Sequence, residues 1–204
     1  MAELSSEDVT METTTQSKVG MTTRGMVVTG ICGSLFAGTY LLAGPFLAPA
    51  LRKIVLPYVP ASNRQVVNVM RALKGRQGKL IDLGSGDGRI VIAGAKRGFD
   101  GTGVDLNRWL VLYSKMAARK NNVSQQTNFM KRDLWKFNLS PYNNVVVFGV
   151  EPMMERLEKK CLEELPDDSR IVACRFQFPN LKPVKTVGEG LDRVWLYKIS
   201  RGNS

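Results

Sequence analysis

The run from Lys79 to Lys96 constrains this chain more than any other part of it. Lys79-Leu-Ile-Asp-Leu83 is a short apolar strand, Gly84-Ser-Gly-Asp-Gly88 a turn with glycine at alternate positions, and Arg89-Ile-Val-Ile-Ala-Gly-Ala-Lys96 has helical composition. Glycines so spaced let the backbone turn tightly and approach a ligand without interference from Cβ. Strand, glycine turn and helix in that order open a βαβ unit, which commits the chain to a largely parallel sheet covered by helices. With 204 residues there is room for one such domain and a modest extension, and hence for one site.

The flanking pattern extends the unit. Ser62 is placed to cap a helix running to about Lys74, ended by Gly75 and Gly78. Gly101 to Asp105 reads as the next parallel strand. Asn107 to Lys120 reads as an amphipathic helix whose Trp109, Leu110, Leu112, Tyr113 and Met116 are expected mostly in the core. Thr127 to Lys131 is a third strand, and the apolar run within Asn143 to Val150 a central one buried on both faces. A helix follows from Pro152 to Glu164, then a strand from about Arg170 to Phe176. Pro179 and Pro183 leave no room for a long helix before two final strands, near Pro183–Val187 and Asp192–Ile199, joined by Gly188-Glu-Gly190. The expected fold is a seven-stranded α/β domain over 61–200.

The spacing of the glycine turn is G-x-G-x-G rather than the G-x-G-x-x-G of dinucleotide binders, and Asp82 stands two residues before Gly84. Asp82, Gly84, Ser85, Gly86 and Gly88 together fit S-adenosylmethionine better than NAD. Asp105, ending the second strand, either accepts both ribose hydroxyls or caps the next helix, and the glycine loop favours the ribose. Asp133 falls on the same sheet edge, where it pairs with the adenine amino group or stabilises a turn. Trp135 stacks near the nucleoside or fills the core. In a doubly wound sheet ligands bind beyond the carboxyl ends of the strands, so Glu151, Pro152 and Met153 fall where a substrate meets the cofactor. Pro152 also suits a first helical turn, and Glu151 either caps that helix or takes part in catalysis. Glu189 reads first as a turn residue.

Charge and composition narrow the chemistry. Histidine is absent, which excludes Ser/His and Cys/His hydrolase constellations and a histidine base. Cys32, Cys161 and Cys174 are widely spaced and form no CxxC pair, so no metal is expected and the thiols read as free. The net charge is +11, yet residues 1–24 hold four acidic and two basic side chains, so the rest carries about +13. That field favours anionic partners, lipid headgroups or nucleic acid. From Gly25 to Leu51 there is no charged side chain, between Arg24 and the pair Arg52, Lys53. The length suits a membrane helix, with a buried helix or a signal sequence as alternatives. The expected organisation is an acidic, disordered 1–24, a hydrophobic membrane-associating helix at 25–51, and a linker at 52–60 carrying Pro57 and Pro60.

Through Asp82-Leu-Gly84-Ser-Gly86-Asp-Gly88, Asp105 and Asp133 the chain resembles the class I S-adenosylmethionine-dependent methyltransferases, whose fold is a Rossmann-like seven-stranded sheet. Val59-Pro60-Ala61, Asn107-x-Trp109-Leu110-Val111, Asp133-Leu-Trp135-Lys136, Cys174-Arg-Phe176 and Gly188-Glu-Gly190-x-Asp192-x-Val-Trp195 extend the likeness over roughly 35–198, to the small mitochondrial protein-lysine methyltransferases. That family has two animal branches, acting on the ATP synthase c subunit and on the adenine nucleotide translocase; Asn144-Val-Val-Val-Phe-Gly-Val150 and Met153-Met154 look more like the former. The resemblance implies S-adenosyl-L-methionine as cofactor, the c subunit as protein substrate, residues 25–51 as a noncleaved targeting and membrane-associating segment, and the mitochondrial inner membrane as location. RNA methylation, motivated by the charge, and a noncatalytic cofactor-binding role rank below.

Overall fold

The computed structural model describes residues 60–200, together with Cys32, Ser34 and Gly38, which are helical. The expectations for 1–24, for the rest of 25–51 and for the linker up to residue 59 lie outside the described residues. No helix among the described residues is long and apolar enough to cross a membrane.

The strands and helices alternate as the apolar runs require. Helix α1 (Asn63–Ala72) is followed by β1 (Lys79–Leu83), α2 (Arg89–Ala95), β2 (Asp100–Asp105), α3 (Arg108–Lys120), β3 (Thr127–Lys131), β4 (Asn144–Phe148), α4 (Glu151–Glu164), β5 (Arg170–Cys174), β6 (Lys185–Val187) and β7 (Val194–Lys198). They form one seven-stranded sheet in the order β3-β2-β1-β4-β5-β7-β6. The first five strands are parallel, whereas β7 runs antiparallel to both β5 and β6. The strand order reverses between β1 and β4, the crevice where open sheets of this kind bind ligands.

Because successive strand residues face opposite sides, the central strands divide their apolar side chains between two cores. Ile81, Val145, Val147, Ile171 and Tyr197 pack with Met154, Leu157 and Cys161 of α4. Leu80, Val146, Val172 and Leu196 pack with Val69 and Met70 of α1, with Leu73 just after it, and with Ile90 of α2. A third cluster, Val91, Val111, Ala118 and Phe129, seats α2 and α3 over the β2–β3 side.

Ser62 caps α1 as expected, and α3 is capped by Asn107. Ser62 Oγ accepts from Gln65 N at 3.0 Å, and Asn107 Oδ1 from Trp109 N at 3.0 Å. Two expectations are corrected. The last strand begins at Val194, not Asp192, because α1 claims the preceding residues: Asn68 Nδ2 donates to Asp192 O at 2.9 Å, Gln65 Nε2 to Leu191 O at 3.1 Å, and Ser62 Oγ to Asp192 Oδ1 at 2.5 Å. The joint is therefore a short 3-10 turn, Gly190–Asp192, held against α1.

The second correction concerns α3. Leu110 and Val111 face inward, but Trp109, Leu112, Tyr113 and Met116 are exposed. The inward face is filled by Ser114, Ala117 and Ala118, small enough for the helix to lie close to the glycine turn. Beyond β5 the chain crosses from Arg175 to Val184 without a helix. Side chains secure this crossing instead: Phe178 N donates to Tyr197 Oη at 3.0 Å, and Asn180 N donates to Glu158 Oε2 at 3.2 Å.

Gly88 stands where the tolerance is least. Its φ is +78°, and an added Cβ would lie 2.7 Å from Phe129 Cε1 and 2.9 Å from Ser114 Cβ. Gly88→Ala is expected to destabilise the domain by about 2–4 kcal/mol, combining left-handed backbone strain with overpacking. Urea unfolding midpoints check this; a loss below about 0.5 kcal/mol would show that the ring moves aside freely.

Candidate active site

The glycine turn is built by backbone pairing to the neighbouring strand. Gly84 N and Ser85 N both donate to Val104 O, at 2.9 and 3.0 Å, and Gly88 N closes the turn on Ser85 O at 2.8 Å. Gly84, Gly86 and Gly88 all have positive φ, a conformation that costs other residues about 1–2 kcal/mol. Gly84 is exposed, and a Cβ there would meet no atom within 4 Å, so open space lies over the loop. Behind the loop, Ser114 Oγ donates to Gly86 O at 2.9 Å. In front of it, Asp87 forms an ion pair with Arg89, which also reaches Ala61 O.

Asp105 joins the loop to the second strand. Its Oδ2 accepts from Gly86 N at 3.0 Å and its Oδ1 from Asn107 N at 2.7 Å. Each carboxylate oxygen has a second lone pair, so Asp105 keeps acceptor capacity for two hydroxyls while holding the loop. The helix cap is Asn107 rather than Asp105. Burial raises the Asp105 carboxyl above its usual range, against the lowering effect of the Asn107, Gly86 and Leu106 amides. Leu106, missed in the sequence pattern, is exposed directly after this carboxylate, an apolar surface beside the loop.

Asp82 lies beneath the loop at the end of β1. It is 2% exposed, and its Oδ1 has no hydrogen-bond partner. Burial first, then the neighbouring Asp105 and Asp87, push its carboxyl up to about 8. Ser85 Oγ is likewise buried without a partner. A buried, orphaned acceptor beside two other carboxylates suits a cation with N–H donors. The α-ammonium of S-adenosylmethionine would supply those donors, and Asp105, with acceptor capacity left, would take its ribose hydroxyls, so the residues present fit this cofactor.

Asp133 follows β3, and Arg132 N donates to Asp105 O at 3.1 Å, which brings the two segments together. Asp133 Oδ1 accepts from Trp135 N at 3.0 Å, shaping the turn that carries Trp135. The Trp135 ring lies half-buried against the core, with the Arg156 guanidinium 4.0 Å from its centroid. Across the sheet crevice, Glu151 and Pro152 are exposed in the first turn of α4 and Met153 is half-buried. Gly149 precedes them with Met154 Sδ 2.8 Å from where its Cβ would be, so α4 starts tight against the strand.

Sequence reasoning missed the significance of Arg175. It follows β5 at φ +70°, its Nε is buried without a partner, and its guanidinium carbon lies 5.4 Å from the Phe148 ring centroid at the end of β4. Left-handed backbone and an orphaned donor at the carboxyl edge mark it as a candidate substrate-side group. The only signal was its place inside Cys174-Arg-Phe176, since strain is invisible in residue type.

Comparisons with known proteins agree with this geometry. A family model, the ANTKMT methyltransferase domain, matches residues 82–185. The ATP synthase c-subunit lysine N-methyltransferase of Xenopus laevis is 53% identical, covering 86% of this chain and 77% of that protein. The adenine nucleotide translocase lysine N-methyltransferase of Mus musculus is 42% identical over 85% of this chain and 77% of its own length. Among solved structures, an RNA methyltransferase from Salinibacter ruber in complex with S-adenosyl-L-homocysteine superposes with a TM-score of 0.68 at 26% identity, covering 72% of this chain and 97% of that one.

The raised Asp82 carboxyl sets a pH dependence. Near neutrality the group is mostly protonated, and pairing with an ammonium requires the ionised form, so binding releases a proton. Cofactor affinity should then rise with pH, by up to about tenfold per unit, as Asp82 ionises toward about 8, and fall again above that as the cofactor's α-ammonium, with an ordinary pKa of about 7.7–8.0, loses its proton. Calorimetry at neutral pH in two buffers of different ionisation enthalpy should register the proton, and buffer-independent heats would refute the assignment. Asp82→Asn should abolish the rise. Gly84→Ala should cost only about 1–2 kcal/mol of stability while obstructing the cofactor, a split visible by comparing unfolding midpoints with binding heats.

Proposed function

We propose, from the premise that this chain belongs to the ANTKMT methyltransferase domain family and is an S-adenosylmethionine-dependent protein-lysine N-methyltransferase, that its substrate is a lysine of the ATP synthase c subunit and its place the mitochondrial inner membrane. The observation that carries the reading is the contrast between the two halves of the crevice. The cofactor half sets buried carboxylates beneath an open glycine loop, whereas the substrate half, at Phe148, Glu151, Met153 and Arg175, lies at an edge crossed by a loop rather than roofed by a helix. An edge of that kind admits a long side chain presented by another protein. Between the two branches, the higher identity to the c-subunit enzyme than to the translocase enzyme supports the former. Residues 25–51, uncharged and long enough for a bilayer, support the membrane location.

When bound, the cofactor supplies a methyl group on a positively charged sulfur. The chain's own residues must deliver an amine to it. A lysine ammonium has a pKa of about 10.4 and is not nucleophilic until it loses its proton. Phe148 and Met153 offer apolar surface that strips water from the ammonium, which favours the neutral amine. Glu151, at the first turn of α4, attracts the incoming cation and holds it near the crevice. Asp82, Asp105 and the glycine loop fix the other reactant, so the two meet in a set orientation, which supplies much of the acceleration. Each methylated amine still has a proton to lose until the third methyl, so the chemistry extends to trimethyllysine.

Intact-mass spectrometry of the c subunit from cells lacking this protein should show loss of methyl mass. Wild type should restore it and Asp82→Ala should not. An unchanged c-subunit mass would sink the assignment and turn attention to the translocase. Deleting residues 25–51 should leave a cofactor-binding domain that no longer stays with mitochondrial membranes after an alkaline carbonate wash; retention would show that another segment anchors the chain.

A further inference from the structure

The outer face of α3 takes no part in the site described above. It carries Trp109, Leu112, Tyr113 and Met116 at helical spacing, exposed by 37, 49, 57 and 61%. Residues three and four apart share a helix face, so these four side chains form one continuous apolar stripe pointing away from the sheet. Such a stripe on a domain surface ordinarily marks something that covers it.

The charges around it say what that is. Helix α3 holds Arg108, Lys115, Arg119 and Lys120 and no acidic residue. Lys96 joins them at the far end, where its Nζ donates to Asn121 Oδ1 at 2.6 Å. The Arg108 guanidinium lies 5.4 Å from the Trp109 ring centroid, so the cation borders the aromatic. Tryptophan and tyrosine flanked by lysine and arginine, on a helix that buries only its opposite side, is the arrangement of an interfacial helix on an anionic bilayer. A protein partner of matching chemistry would need an acidic rim around an apolar groove. A bilayer containing anionic lipid supplies both, apolar depth and negative surface, without further specification.

We propose that the outer face of α3 is a lipid-docking surface that lays this domain on an anionic membrane, with Trp109, Leu112, Tyr113 and Met116 inserted at the headgroup boundary and the basic residues paired with lipid phosphates. The surface is distinct from residues 25–51 and from the methyl-transfer site, and its reading does not rest on the substrate. Its consequence for that site is positional. Helix α3 begins at the Asn107 cap, two residues past Asp105, so docking brings the cofactor edge of the sheet to the bilayer surface.

The test uses the full chain. Cys161 and Cys174 are buried and Cys32 is exposed, so in a Cys32→Ser background a single introduced thiol takes an environment-sensitive dye. Met116→Cys places the dye on the stripe, and Glu155→Cys places it on α4, across the sheet. With phosphatidylcholine vesicles containing phosphatidylglycerol, the Met116 probe should shift to the blue while the Glu155 probe does not. Pure phosphatidylcholine should leave both unshifted, even where residues 25–51 carry the chain onto the vesicle. High salt, or the pair Lys115→Glu and Arg119→Glu, should abolish the shift without changing cofactor affinity. No shift, an equal shift with neutral lipid, or an equal shift of both probes would overturn the proposal. A shift that follows protein concentration without lipid would instead make the stripe a contact between copies, and would overturn it too. Co-sedimentation of the chain in the same samples reports on residues 25–51 separately, so the two membrane readings fail independently.

Discussion

The half of the molecule that binds cofactor depends on one aromatic ring and on the missing side chains around it. Phe129, from β3, is 2% exposed, and its ring fills the space that a Cβ at Gly88 or at Gly103 would need; both virtual contacts are 2.7 Å. At Gly103 the same absent Cβ also makes room for Ser85 Oγ. A strand residue, a loop residue and a helix start are therefore brought to a common distance by a single side chain. Packing at interior density makes that arrangement one position rather than a range. The exposed glycine of the loop, Gly84, is then held over open space, with Gly86 N turned onto Asp105.

On this frame the fold keeps an electrostatic arrangement that favours a cation. Asp82, Asp105 and Asp87 lie close enough for the second and third to oppose ionisation of the first. Asp87 is answered by Arg89 and Asp105 by backbone amides, but the described hydrogen bonds leave Asp82 Oδ1 orphaned. An unsatisfied buried acceptor costs about 1–3 kcal/mol, a stability deficit that a ligand carrying N–H donors removes. The same physics explains why the loop glycines alone are not diagnostic. They create the space, but the carboxylates at the ends of β1 and β2 determine what charge and what donors fill it.

Most of this was legible in the residues because it rests on local rules. The strands of the central sheet are apolar runs, the glycine turn has a fixed spacing, and Ser62 and Asn107 cap as their side chains dictate. What escaped depended on relations between distant segments. In α3 the periodicity was visible, but the sheet-facing side had to be thin, because Ser114 sits against Gly86 and Gly88, so the small residues went in and the large ones out. Hydrophobicity alone ranks those faces the wrong way round. Asp192 read as a strand residue until α1, far away in sequence, claimed its carbonyl and carboxylate. Arg175 read as ordinary, because a positive φ follows from where the crossing must go and not from the residue itself.

The crossing after β5 shows how an open edge is kept without being left loose. In a sheet of this order β5 and β6 are parallel, and a connection between parallel strands is usually an α-helix. Here Arg175–Val184 does the connecting, and two of its backbone donors are met by side chains, Tyr197 of β7 and Glu158 of α4. Phe178 packs against Tyr197 with ring centroids 5.0 Å apart and the rings tilted by 51°, which gives the loop an apolar anchor as well. Glu158 is itself almost wholly buried, a costly place for a carboxylate unless its bonds are needed. Its contribution is to tie a short connection to α4 through Asn180. A small-molecule enzyme gains from a roof that excludes water on every side; a site for a side chain on a large protein must leave the approach clear and let the incoming protein complete the enclosure. The buried Glu158, whose Oε2 accepts from both Asn180 N and Asn180 Nδ2, is the tie that fastens this short connection to α4 in place of a helix.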